Sequence, residues 1–236
     1  MAVLGDVHLL TQTLLYFAGC IAGLVAVVPL GITSLNFDGN CILYSDVKWV
    51  NATYFTCKFG NSSACHFPIY LLVFGCILYG AAMGGYNMYA YCTSRKDCTI
   101  GSQMWVMPFI MTNSLLVVTL FIASCLVSVG FGEFCNGFVD GAKTAGNTVI
   151  NSCVDGQKLQ WKNKNTGEEY TGDTYFNFLT TAQTVSWACF LIWTAQVALC
   201  LLRFWRNRRG RSSGQVQIDH GPETITQNIS TIEPTA

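Results

Sequence analysis

Charge is what this chain lacks most. Only 11% of its 236 residues are Asp, Glu, Lys or Arg, less than half the roughly 25% of an ordinary globular domain. A soluble protein of this size needs more charge to cover its surface. The 13 basic and 13 acidic residues cancel, which removes the general electrostatic argument for nucleic-acid binding. Histidine is reduced to His8, His66 and His220. No loop offers a Ser/His/Asp or Cys/His set, so no enzyme activity is expected. No Cys or His pair has the close spacing of a zinc site, and His66 beside Cys65 is a lone neighbour, so neither metal nor cofactor is expected. The long polar, aromatic-poor tracts of a disordered chain are also missing over most of the length.

What is present is apolar: 51% of the residues are hydrophobic and 13% aromatic. A membrane-spanning helix needs about 20 mostly apolar residues, and four stretches supply them: 9–32, 67–91, 104–131 and about 179–202. None contains Asp, Glu, Lys, Arg or His. The runs are continuous rather than alternating, so they are helices and not strands of a barrel. The first run follows Asp6 with no Lys or Arg before it and is too long for a signal peptide's apolar core, so it is expected to be retained as a span.

Basic residues set the expected orientation. Arg95 and Lys96 lie in the short link between spans two and three, and Arg203, Arg206, Arg208, Arg209 and Arg211 follow span four. By the positive-inside rule these sides are cytoplasmic, with both termini. The two longer connections, 33–66 and 132–178, carry six lysines among eight acids and become outer loops, in the plasma membrane or a membrane of the secretory pathway. Asn51-Ala-Thr53 and Asn61-Ser-Ser63 are glycosylation acceptors in the first outer loop. A third match, at Asn228, lies in the tail and should stay unmodified in this topology.

The twelve cysteines divide by compartment. Cys20, Cys76, Cys125, Cys189 and Cys200 fall in spans, as small apolar packers. Cys92 and Cys98 flank the cytoplasmic link and are palmitoylation candidates. The outer loops hold Cys41, Cys57, Cys65, Cys135 and Cys153, where disulfides are permitted. Cys41–Cys65 and Cys135–Cys153 would each close one loop, with Cys57 left free or paired between chains; a cross-loop bridge from Cys41 to Cys135 is the rival, and spacing does not choose. Each closure is expected to hold a loop that has no hydrophobic core of its own.

Ionisable residues inside a membrane mark transport paths, and these spans have none. Asn87, Asn113 and Gln183 are the polar residues to suspect if a path forms between chains. Small-xxx-small motifs at Gly19/Gly23, Gly80/Gly84 and Ser124/Ser128 favour close helix packing. In the second outer loop, the run from Lys158 to Tyr170 suggests a small hairpin turning at Asn165-Thr-Gly, with Trp161 and Tyr170 available to contact a partner or, in preference, to pack on the neighbouring loop. The arginine cluster after span four determines topology and can lie on anionic lipid at about 1 kcal/mol per residue.

Phe37-Asp-Gly-Asn-Cys41-Ile-Leu-Tyr44 after span one and Phe121-Ile-Ala-Ser-Cys-Leu-Val-Ser-Val-Gly-Phe131 ending span three resemble the transmembrane protein 179 family. In that family a Gly-x-Cys segment opens the first outer loop, and an Ile-Ala-Ser-x-x-Val-Ser-Val-Gly-Phe run precedes a Cys, here Cys135. Trp49, Asn51, Cys65, Ala182-Gln183 and Trp187 also fall at similar places. The resemblance covers roughly residues 10–205 and implies a multi-pass membrane protein without an established activity. Claudin-like and MARVEL-type proteins share the layout by analogy of architecture only. The expected protein is therefore an all-α four-helix transmembrane bundle over 1–205, with two disulfide-tied outer loops and a disordered cytoplasmic tail over 206–236. Its expected function is non-enzymatic association, as an accessory or organising subunit of other membrane proteins or with itself. The alternative is a small oligomeric channel or carrier.

Overall fold

The computed structural model describes residues 2–51, 54–94, 107–147, 149–164 and 166–218. The apolar runs form long helices because lipid offers no partner for an open backbone group. Helix α1 spans Ala2–Asn36. The second rod begins with α2, Ser62–Leu71, whose N-cap Asn61 accepts from the Ser63 amide. It widens into a π-helical stretch, Leu72–Tyr79, and continues as α3, Gly80–Ser94. Helix α4 spans Met107–Thr144. Pro108 falls in its first turn, where a missing amide costs nothing. Helix α5 spans Tyr175–Ile218. Among the described residues, four rods are thus long and apolar enough to cross a membrane: Val7–Asn36, Ser62–Thr93, Met107–Thr144 and Tyr175–Arg206. They close a ring in which α1 packs between α5 and the second rod, and α4 packs between α5 and α2.

The two long connections lie together at one end as a cap. Strands β1, Cys41–Asn51, and β2, Tyr54–Gly60, form an antiparallel hairpin. After a 3-10 turn at Cys153–Lys158, β3, Gln160–Asn163, and β4, Glu169–Thr171, form a second antiparallel hairpin. This is the hairpin expected there; Asn165 lies outside the described residues, and Gly167 takes a positive φ of 75°, which favours glycine. The sheet order is β1-β2-β3-β4, and β2 pairs with β3 in parallel, Thr56 opposite Lys162 and Cys57 opposite Asn163.

Four features depart from the sequence reading. The first loop is β-structured, through an alternation that hides among charges: Ser45, Val47 and Trp49 turn inward while Asp46, Lys48 and Val50 are exposed. Helix α4 does not stop at Phe131 but runs to Thr144, because Phe134, Phe138 and Ala142 recur at four-residue spacing and bury against the cap. Most importantly, the loops do not lack a core. Phe37, Leu43, Phe55, Phe134, Phe138, Trp161, Tyr170 and Tyr175 are buried in one cluster. Each large side chain fully buried there contributes roughly 1.5–3 kcal/mol. At the other end α5 continues to Ile218, into what reads as the polar tail.

Candidate functional site

Trp161 is the hub of the cap and is completely buried. Its ring meets Phe37 at 5.1 Å, Phe55 at 5.3 Å, Phe134 at 5.4 Å and Tyr175 at 4.8 Å. Those neighbours come from the end of α1, from β2, from α4 and from the start of α5, so one side chain of β3 joins both hairpins of the cap to three of the helices below. Its indole N–H donates to the Gly156 carbonyl at 3.0 Å, and Tyr175 donates its hydroxyl to the Cys153 carbonyl. Trp49 bridges the two loops a second time, donating Nε1 to the Phe138 carbonyl at 3.0 Å. A Cβ on Gly60 would lie 2.0 Å from the Leu43 carbonyl oxygen, so glycine alone lets β2 close on the β1 bulge, where Tyr44 holds a φ of 60°.

Two disulfides tie the cap down. Cys41–Cys65 joins β1 to the start of α2, and Cys135–Cys153 joins α4 to the 3-10 turn, with Cα separations of 5.7 and 5.2 Å. Each closes its own loop, not the pair of loops. The remaining cap cysteine, Cys57, is unbridged and fully buried, out of reach of another chain. Burial pushes its thiol up to about 12. At the hairpin end, Tyr170 donates to Glu168 at 2.8 Å and Thr166 donates to it at 2.9 Å. These bonds hold the Glu168 carboxyl below its ordinary range. Burial, then the Glu168 bond, raises the Tyr170 hydroxyl.

Asn61, an acceptor for glycan by its sequon, is exposed on this cap. Asn51 ends β1 at the hairpin turn. Asn228 lies outside the described residues, as does Cys98. Cys92 is exposed near the end of α3.

Inside the ring the polar residues meet one another. Asn113 is wholly buried, donates to the Tyr16 hydroxyl at 2.9 Å and to Cys200 Sγ at 3.6 Å, and accepts from the Tyr79 hydroxyl at 3.0 Å. Gln12 donates to Cys200 Sγ at 3.5 Å. Gln196 donates to the Gln12 carbonyl at 3.4 Å. This knot contains a residue from each of the four rods. Bonding between helices is what the polar residues Gln12, Asn113 and Gln196 lead one to expect of a span, but their meeting with Tyr16, Tyr79 and Cys200 at one point has no signal in runs that are otherwise apolar. The three suspects for a path are not gathered. Asn87 bonds back to the Met83 carbonyl of its own helix at 2.9 Å. Gln183 lies seventeen residues before Cys200 on α5, about 25 Å away along the helix.

The small-residue motifs face neighbours within the chain. Gly19 faces Trp193, Gly23 faces Cys76, Gly80 faces the Tyr16 carbonyl and Cys20, and Gly84 faces Phe17. Ser124 is buried, and Ser128 accepts from Trp187 Nε1 at 2.9 Å.

Comparison with known proteins agrees with this architecture. Residues 8–225 match the family described as Transmembrane protein 179/179B Claudin domain. The chain is similar to Transmembrane protein 179B of Danio rerio, 24% identical over 196 residues and covering 83% of each chain. It is also similar to Transmembrane protein 179B of Mus musculus, 23% identical over 191 residues, 80% of this chain and 79% of the relative. No solved structure matches.

Proposed function

We propose that this chain, which belongs to the Transmembrane protein 179/179B claudin family, works by non-enzymatic association in its membrane, as an accessory or organising subunit of other membrane proteins. It is an integral membrane protein. The observation that carries the reading is the cap: both loops share one aromatic core and one sheet, so the protein presents a rigid surface outside the bilayer. Preorganisation of that kind lowers the cost of binding a partner. The polar residues of the spans are largely spent on one another, which supports a static scaffold over a conduit.

The same reading assigns the cap to the lumenal or extracellular side, with both termini cytoplasmic and glycans on Asn51 and Asn61. Cys92 and Cys98 then face the compartment of S-palmitoylation, and 206–236 forms the cytoplasmic tail. Bundle packing uses Gly19, Gly23, Gly80, Gly84, Ser124 and Ser128.

The decisive experiment is purification from the native membrane in mild detergent, with quantification of what co-purifies. A stoichiometric second membrane protein is expected. A chain that comes away alone, and that drives solute flux in liposomes, overturns the proposal in favour of a channel or carrier. Replacing Asn51 and Asn61 by Gln should increase gel mobility. Unchanged mobility there, with a shift for Asn228→Gln, would invert the orientation.

A further inference from the structure

Strand alternation sends one set of cap side chains into the core and the other outward. Val47, Cys57 and Trp161 are buried, while Asp46, Lys48, Lys58 and Glu169 are exposed. Pairing lays the outward set in two rows. In one, Lys48 lies opposite Thr56, Thr56 opposite Lys162, and Lys162 opposite Glu169. In the other, Asp46 lies opposite Lys58. The Lys164 amide donates to the Cys57 carbonyl at 3.0 Å, which sets Lys164 level with Lys58, about 4.8 Å away across the strands. Four lysines thus share this face with two acids, one of which, Glu169, lies 3.7 Å from Lys162. Over the two loops as a whole the balance is reversed, with eight acids to six lysines. Every charged side chain of those loops is among the described residues. Several of the other acids are engaged off this face. Asp140 pairs with Lys143 along α4 at 3.8 Å, Asp155 accepts from the Asn151 and Ser152 amides, and Glu168 accepts from Tyr170 and Thr166.

The fold does not require this segregation. Like charges level on adjacent strands are destabilising. Lysine on an edge strand guards against strand addition, which accounts for Lys48 on β1, but β2 and β3 are interior strands. The composition of the face identifies its occupant. Protein interfaces centre on aromatic anchors and are poor in lysine. Here Val50 is the one exposed large apolar side chain among the described residues of the four strands. Lysine is a flexible, strongly hydrated point charge, suited to anionic groups repeated along a chain, and basic clusters of this kind bind heparin. We propose that the outward face of the cap sheet binds a sulfated polysaccharide through Lys48, Lys58, Lys162 and Lys164. This choice of polyanion rests on the outer placement of the cap proposed above.

The test uses the full chain purified in mild detergent, with heparin as the probe, and does not depend on which way the protein faces. The mobility shift of the Asn51 and Asn61 variants tests that placement separately. Arginines at the far end of α5 also attract polyanions, so the readout must resolve single residues. Amine acetylation with and without heparin, followed by mass spectrometry, does so in the unaltered chain. Heparin should slow the labelling of Lys48, Lys58 and Lys164 several-fold and leave Lys143, on α4, unchanged. The protection should fade as salt is raised, because exposed charges are screened. Replacing Lys48, Lys58 and Lys164 by Gln should then weaken heparin binding about tenfold, the size expected of three exposed ion pairs. Heat unfolding without heparin checks that variant's fold. If it fails to fold, the labelling pattern carries the test alone. Equal protection of Lys143, or no protection of the sheet lysines, overturns the inference. Stronger protection by polyglutamate than by heparin would make the face a site for an acidic polypeptide instead.

Discussion

The cap and the bundle solve the same packing problem in opposite ways. In the cap, aromatic side chains turn inward and charges turn out: Trp161, Phe55 and Phe134 are buried while Asp46, Lys48 and Glu169 are exposed. In the bundle, Gln12, Asn113 and Gln196 are buried while Leu14, Ile21 and Leu115 are exposed. Water rewards apolar burial in the first. Lipid is as apolar as leucine, so the second is held by close small-residue contacts and interhelical hydrogen bonds. The sign of the hydropathy pattern thus changes within one chain at the bilayer boundary, and α4 carries both patterns along its length.

Four experiments break or sharpen that contrast. Trp161→Ala, which empties the hub of the cap, should cost about 3–5 kcal/mol. Heat unfolding with near-ultraviolet dichroism should show the cap melting early while far-ultraviolet helix signal persists; simultaneous loss of both would erase the division into two regions. Opening the Cys135–Cys153 bridge with paired serines should destabilise the cap by about 2–4 kcal/mol, read from its urea midpoint.

Alkaline pH should act on the cap through Cys57. An ordinary thiol ionises near 9.0, whereas the folded one waits until about 12. The unfolded state therefore loses its proton first, and the stability present below pH 9 is lost as pH rises towards 12, at about 1.4 kcal/mol per unit. Cys57→Ala should flatten that limb of the unfolding curve between pH 9 and 11. Asn113→Leu is the smallest of the four. It removes the centre of the polar knot yet should cost the bundle only about 0.6–1.7 kcal/mol, measured as resistance to denaturing detergent, and should leave the cap's melting unchanged.

The membrane half was legible because a continuous apolar run has one meaning in lipid. The hairpin at Asn165-Thr-Gly was legible because its turn chemistry is local. The Cys41–Cys65 and Cys135–Cys153 bridges each close a short loop, although spacing left a cross-loop rival open. The β1–β2 hairpin was hidden by its bulge at Tyr44 and by charges between its inward residues, yet the alternation from Ser45 to Val50 could have disclosed it. The extension of α4 was readable in the spacing of Phe134, Phe138 and Ala142. Two things carried no local signal. The pairing of β2 with β3 joins segments distant in sequence, and the Asn113 knot assembles single residues from all four rods.

That distant pairing also sets an order of events during synthesis. The open edge of β2 has no sheet partner until β3 follows it, about a hundred residues later, or roughly 5–20 s at the pace of translation. Two further spans must be made in that interval. The open edge of the first hairpin is therefore exposed to wrong pairing while the chain grows, and the arrival of β3 is what closes it.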